Sequence, residues 1–264
     1  MKQLKIIFGT RCNLNCKYCY QTDKCNDMSD EVLDKIIEEI NKSEEQFYIH
    51  LFGGEPLIYI DKILYLIDNI DRYKHKFSIS TNGTIIDNFR LLEQKLGYFI
   101  PNLLSNKEGG SYEKLNMRSQ FRFIVTKDNI SELEEKLDWF LQEYGNNFSI
   151  YCNFYESWTQ EMLNRINIIK EKVRKDFPYL RILKPQVAKE ILCNNHSVIV
   201  NWNGDLLTCQ RNEKGVIGNI MQDGLKCSTN KECVFKKDIQ TNFIMSNNEG
   251  VVDNLCDLDA VFYC

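Results

Sequence analysis

Little in this chain points to a membrane, a secretory route or a nucleic acid. Across its 264 residues no apolar stretch approaches the ~20 residues that a helical membrane span requires. Met1 leads directly into an apolar, strand-like run, so no secretory leader is expected. Net charge is −4, with 33 basic and 37 acidic residues interspersed, so no basic surface offers itself to phosphates and no nucleic-acid partner is expected. Histidine is scarce: His50, His75 and His196 show no metal-ligand spacing and read as structural or surface residues. No internal repeat or low-complexity segment is present. A soluble, cytoplasmic protein with no membrane partner is expected.

Cysteine, by contrast, is abundant, with 11 in the chain. A disulfide framework would be reduced in the cytoplasm, so these cysteines point to metal or redox chemistry. Cys12, Cys16 and Cys19 fall within eight residues, just after the first strand-like segment. Thiolates this close on one loop can wrap a single soft metal centre and leave one metal position open to a substrate or cofactor. A structural zinc site would need a fourth ligand, for which Cys25 is the nearby candidate.

An apolar content of 43% supports one large domain, or one plus an appendage. Strand-like segments near residues 3–8, 47–52, 76–80, 98–104, 120–126 and 147–154 alternate with helices of 3.6-residue periodicity. Repeated β/α units and a parallel sheet follow from that alternation, an α/β fold. The helical stripes are Val32, Leu33, Ile36, Ile37 and Ile40; Ile60, Ile63, Leu64, Ile67 and Ile70; Ile130, Leu133, Leu137, Phe140, Leu141 and Tyr144; and Trp158, Met162, Ile166, Ile169 and Val173. Between strands four and five, residues 106–118 are few for a parallel crossover, so a loop or vestigial helix is expected there. From Arg181 the pattern changes to short strands and cysteines, and Asn203-Gly204 signals a two-residue hairpin turn that would set Trp202 opposite Asp205 and Cys209 opposite Val198.

Gly53-Gly54-Glu55-Pro56 closes the second apolar run, and Ser80-Thr81-Asn82-Gly83 closes the third. Together with the cysteine loop after strand one, in that order, these motifs resemble the radical S-adenosylmethionine (radical SAM) enzymes. The resemblance implies a partial (β/α)6 TIM-like barrel over residues 1–180, with its chemistry at the carboxyl ends of the strands. It implies that Cys12, Cys16 and Cys19 hold a 4Fe-4S cluster whose remaining iron binds S-adenosylmethionine. Reductive cleavage would then yield a 5'-deoxyadenosyl radical that removes hydrogen from an unactivated carbon. By the same resemblance Tyr18 packs against adenine, and Gly53, Gly54 and Glu55 meet the methionine amino group. Ser80 and Asn82 bond the ribose or carboxylate, and Ser105 and Arg118 are further candidates for the carboxylate. A reducing electron donor such as a flavodoxin or ferredoxin is implied as a partner.

Residues 181–264 resemble the SPASM module, or its shorter relative twitch, through Cys193, Gly204, Cys209, Cys227 and Cys233. One auxiliary iron-sulfur cluster, of 4Fe-4S type, is implied on Cys193, Cys209, Cys227 and Cys233, with Cys256 and Cys264 as substitutes for the last two or as ligands of a second cluster. Cys152, in strand six, is either a small core hydrophobe or a thiol that returns hydrogen to a substrate radical. The expected substrate is a ribosomally made peptide or protein, modified by epimerisation, a thioether or a carbon crosslink. No leader-binding domain is expected before the first strand, so leader recognition is expected from a separate protein or from the C-terminal module. The rival readings are radical dehydrogenation of a small alcohol or amino sugar, and a non-catalytic iron-sulfur or zinc protein.

Overall fold

The computed structural model describes residues 2–21, 23–153, 158–177, 180–183, 198–207 and 215–225. The chain runs β1 (Lys2–Ile7), α1 (Asp30–Lys42), β2 (Phe47–Phe52), α2 (Ile60–Asp68), β3 (Lys76–Ser80), α3 (Ile86–Leu96) and β4 (Asn102–Ser105). It continues through β5 (Ser119–Val125), α4 (Ile130–Tyr144), β6 (Phe148–Cys152), α5 (Gln160–Arg174) and β7 (Arg181–Leu183). Three short strands, β8 (Val198–Val200), β9 (Asp205–Leu207) and β10 (Val216–Asn219), precede the single turn α6 (Ile220–Asp223). These described strands form one sheet in the order β10-β9-β8-β1-β2-β3-β4-β5-β6-β7. Pairing is parallel from β8 across to β7 and antiparallel at β8–β9 and β9–β10. This is the expected α/β class with its parallel sheet.

Strand alternation decides which face packs. Leu4 and Ile6 of β1, Ile49 and Leu51 of β2, and Phe77 and Ile79 of β3 bury themselves with Leu33, Ile36 and Ile40 of α1 and Ile63 and Leu66 of α2. A second core joins Phe121, Phe123 and Val125 of β5 to Leu133, Leu137 and Phe140 of α4 and Ile166 and Ile169 of α5. The opposite face mixes an apolar cluster of Ile7, Ile199 and Leu207 with buried polar residues. Lys5, His50 and Ser78 are register partners across β1, β2 and β3, and all three are buried.

The loop expected between β4 and β5 is found, and several other local expectations shift. Residues 106–118 hold no helix, yet β4 and β5 pair in parallel, so a loop makes this crossover. Helix α3 went unread because it buries only Phe89 and Leu92, too few for a periodic stripe. Strand β4 begins at Asn102 rather than near 98, because Gly97 and Phe99 take positive φ angles of 104° and 83°. Trp158 stands before α5, which Thr159 caps by accepting the Met162 N–H, and Leu163 fills the buried position assigned to Met162. The C-terminal hairpin forms, but with Ile199 opposite Leu207 and the Asn201 N–H bonded to the Asp205 carbonyl. Its loop is therefore three residues, Trp202 to Gly204, with Gly204 at φ 85°, and the register differs by one from that of a two-residue turn.

Candidate active site

The loop after β1 is drawn into a narrow neck by backbone bonds from Met28 N–H to the Phe8 carbonyl and from Thr10 N–H to the Asn26 carbonyl. Beyond the neck stand Cys12, Cys16 and Cys19, all free thiols. The loop after β2 docks directly on it, through Gly54 N–H to the Gly9 carbonyl (3.0 Å) and Glu55 N–H to the Arg11 carbonyl (2.8 Å). Only glycine permits this approach, since a methyl group on Gly54 would lie 2.3 Å from the Arg11 carbonyl oxygen and 2.4 Å from that of Thr10.

The β4–β5 connection closes over the same loop. Tyr18 Oη donates to the Asn106 carbonyl at 2.6 Å, and Gly109 lies against Leu14. The Glu108 backbone N–H faces the Cys16 thiol, whose pKa is raised by burial against the opposing pull of that N–H and of the Lys107 charge. Cys12 Sγ accepts from Leu14 N–H at 3.4 Å and from Asn82 Nδ2 at 3.9 Å.

These segments enclose a cavity of about 150 Å³ at the carboxyl ends of the strands. Cys12, Cys16, Cys19, Tyr18, Gly53, Gly54, Ser80, Ser105 and Cys152 all line it, so most of the residues singled out in the sequence come together. Three do not line it. Glu55 is fully buried, with its carboxylate accepting from Leu57 N–H, Thr81 Oγ1 and Asn82 N–H at 3.1, 2.8 and 2.7 Å, so it ties the β2 and β3 loops together. Asn82, also fully buried, donates to Asn13 Oδ1 at 2.8 Å and braces the cysteine loop. Arg118 is exposed on the turn before β5, where its N–H donates to Asn116 Oδ1.

The cavity arginine is Arg122, four residues further on. It is the register partner of Ser105 across β4 and β5, and its guanidinium lies 4.5 Å over the Tyr151 ring. The signal was available, because Arg122 interrupts β5 on the parity opposite to Phe121, Phe123 and Val125. Lys24 and Lys107 also line the cavity, and among the described residues no acid does. Cys25 is exposed and donates its thiol to Asp23 Oδ1 at 2.7 Å, outside the cavity lining, so it is not placed as a fourth metal ligand. Cys193, Cys209, Cys227, Cys233, Cys256 and Cys264 lie outside the described residues.

The donor set suits a cluster of several irons. The three thiols share the wall of one cavity, beside cations that would offset the negative charge of thiolate ligands.

Residues 6–150 match the Radical SAM superfamily, and the chain belongs to it. Membership implies S-adenosylmethionine and a 4Fe-4S cluster as cofactors. The radical SAM cyclopropyl synthase TigE of Paramaledivibacter caminithermalis is 32% identical, aligned over 100% of this chain and 57% of that protein. Among solved structures, native anSMEcpe with bound AdoMet and the Cp18Cys peptide superposes with a TM-score of 0.64 at 16% identity, covering 91% of this chain and 81% of that one. Streptococcus suis SuiB bound to its precursor peptide SuiA gives a TM-score of 0.52 at 16% identity, covering 91% and 64%. At that identity the two structures establish a shared fold. Among the described residues no helix is long and apolar enough to cross a membrane.

Proposed function

We propose that this chain takes hydrogen from a residue of a ribosomally made peptide or protein, leading to epimerisation, a thioether or a carbon crosslink. When bound, the cluster and S-adenosylmethionine supply the 5'-deoxyadenosyl radical that performs the abstraction. The observation that carries the reading is the convergence of Cys12, Cys16 and Cys19 with Gly53, Gly54 and Ser80 on one cavity at the carboxyl ends of β1, β2 and β3. Cys12, Cys16 and Cys19 would hold the cluster. Gly54 keeps the β2 loop close enough for its backbone to meet the methionine amino group. Ser105 and Arg122, side by side on β4 and β5, suit the carboxylate, a charge-assisted pairing that arginine makes well. Tyr18 offers an aromatic wall for adenine while its hydroxyl is tethered to Asn106.

A peptide substrate is supported by the neighbours in fold, three of which were solved with peptides bound. The same reading divides the chain near residue 180 and gives residues 181–264 an auxiliary cluster. Reconstituted protein with dithionite should convert S-adenosylmethionine to 5'-deoxyadenosine, and Cys16→Ala should abolish that conversion. Equal turnover in the variant would overturn the assignment. Mass spectrometry of candidate peptides for loss of two hydrogens or uptake of deuterium then tests the substrate class.

A further inference from the structure

His50 lies directly beneath the cavity, fully buried in β2. Both ring nitrogens meet serine hydroxyls of β3, Nδ1 at 2.7 Å from Ser78 Oγ and Nε2 at 2.9 Å from Ser80 Oγ. Ser78 is fully buried, whereas Ser80 lines the cavity.

The protons on this three-residue chain are not free to choose. Among the described residues Ser78 Oγ has no hydrogen-bond partner other than His50 Nδ1. If Nδ1 carried a proton it would donate to Ser78, and the Ser78 O–H would be left buried without an acceptor. Leaving a buried donor unpaired disfavours a state by about tenfold or more. The Ser78 hydroxyl therefore donates to Nδ1. A neutral imidazole has one N–H, so that proton sits on Nε2 and is donated to Ser80 Oγ. A doubly protonated ring fails on the same count as the Nδ1–H form. Ser80, having accepted from His50, keeps its own O–H to offer elsewhere, and the space in front of it is the cavity.

We infer that His50 is a positioning residue that fixes Ser80 as an O–H donor toward an acceptor oxygen of S-adenosylmethionine. The inference rests on the proposed reading of the cavity. It assigns Ser80 a direction of hydrogen bonding, toward a carboxylate or ribose oxygen and away from an amino group.

Two measurements on the full, cluster-loaded chain test it. With histidine labelled by nitrogen-15, two-bond proton–nitrogen correlations report the tautomer of each ring, and the chain has only three histidines. Signals lost in His50→Gln identify His50. A protonated Nε2 with a bare Nδ1 is expected, and an Nδ1–H or doubly protonated ring overturns the inference. The second measurement is a cycle of S-adenosylmethionine affinities. Ser80→Ala should weaken binding about tenfold, the worth of one hydrogen bond. Ser78→Ala, which acts on Ser80 only through His50, should weaken it about threefold alone and not at all when Ser80 is already alanine. An equal Ser78→Ala effect in both backgrounds would overturn the relay. If unaltered protein failed to bind S-adenosylmethionine, the cavity reading and the cofactor role of Ser80 would fall together. That outcome is distinct from a wrong tautomer, which is read without added cofactor.

Discussion

Gly54→Ala is the sharpest probe of how the cysteine loop is held. The added methyl would lie 2.3 and 2.4 Å from the carbonyl oxygens of Arg11 and Thr10. Even a favourable C–H···O contact needs roughly 3.3–3.6 Å, so one loop must retreat by about 1 Å. The oxygens belong to main chain, and no rotamer change relieves the overlap. Retreat would stretch two hydrogen bonds, Gly54 N–H to Gly9 and Glu55 N–H to Arg11. Overpacking of this kind costs about 1–3 kcal/mol. Each weakened bond adds about 0.5–1.5 kcal/mol, so a total of about 2–6 kcal/mol is expected. Against the ~5–15 kcal/mol stability of an ordinary domain most of that range leaves the variant folded. Urea unfolding should show a lower midpoint at unchanged slope, and reconstituted protein should hold fewer irons per chain. Unaltered midpoint and iron content would refute the argument. Lost stability with full iron retention would confine the glycine to the fold.

Four further outcomes are expected. Arg122→Met should weaken S-adenosylmethionine binding more than tenfold, the scale of a charged hydrogen bond, while Arg118→Met stays within about twofold; equal effects would return Arg118 to the site. His75 is buried and its Nδ1 accepts the Phe47 N–H at 3.1 Å, and burial lowers its pKa. The unfolded chain therefore takes up this proton first, so stability should fall as pH drops below the ordinary histidine value, and a pH series on His75→Asn, which retains an acceptor, should lack that slope. If Cys152 returns hydrogen to the substrate radical, Cys152→Ala should still form 5'-deoxyadenosine but divert the product, whereas an unchanged product would leave Cys152 a packing role alone. With Cys12, Cys16 and Cys19 all replaced, about four irons should remain per chain if one auxiliary cubane exists, and iron analysis near zero would remove it.

Much of the architecture was legible because helices α1 and α4 write their buried face at 3.6-residue spacing, as Leu33, Ile36 and Ile40 or Leu133, Leu137 and Phe140 do. Helix α3 was not, because a helix that buries two residues carries almost no periodic signal. The hairpin failed in register for a different reason. Asn203-Gly204 fits the centre of a two-residue turn and equally the end of a three-residue loop, and the position where Gly204 supplies its φ of 85° decides between them.

The candidate site divides along the same line between local and lateral information. Cys12, Cys16 and Cys19, and Gly53 with Gly54, each form a short contiguous motif, so the sequence displays them. Arg122 and Arg118 are four residues apart, and the register Ser105 to Arg122 across two strands, with the parity of Arg122 in β5, tells which reaches the cavity. His50 shows no metal-ligand spacing and reads as structural or surface; it is structural, and its partners Ser78 and Ser80 lie one strand away and are distant in sequence. Lateral neighbours leave one trace in the sequence. A parallel strand covered on both faces should read as a nearly unbroken apolar run. Lys5, His50, Ser78, Ser80 and Arg122 each interrupt such a run on the parity that faces away from the helices. A buried polar side chain needs partners there, and a face that collects several of them either satisfies them mutually, as His50 does, or lines a cavity with them, as Ser105 and Arg122 do. The polar interruptions of the strands thus locate the cavity from the sheet side as the cysteine and glycine motifs locate it from the loop side.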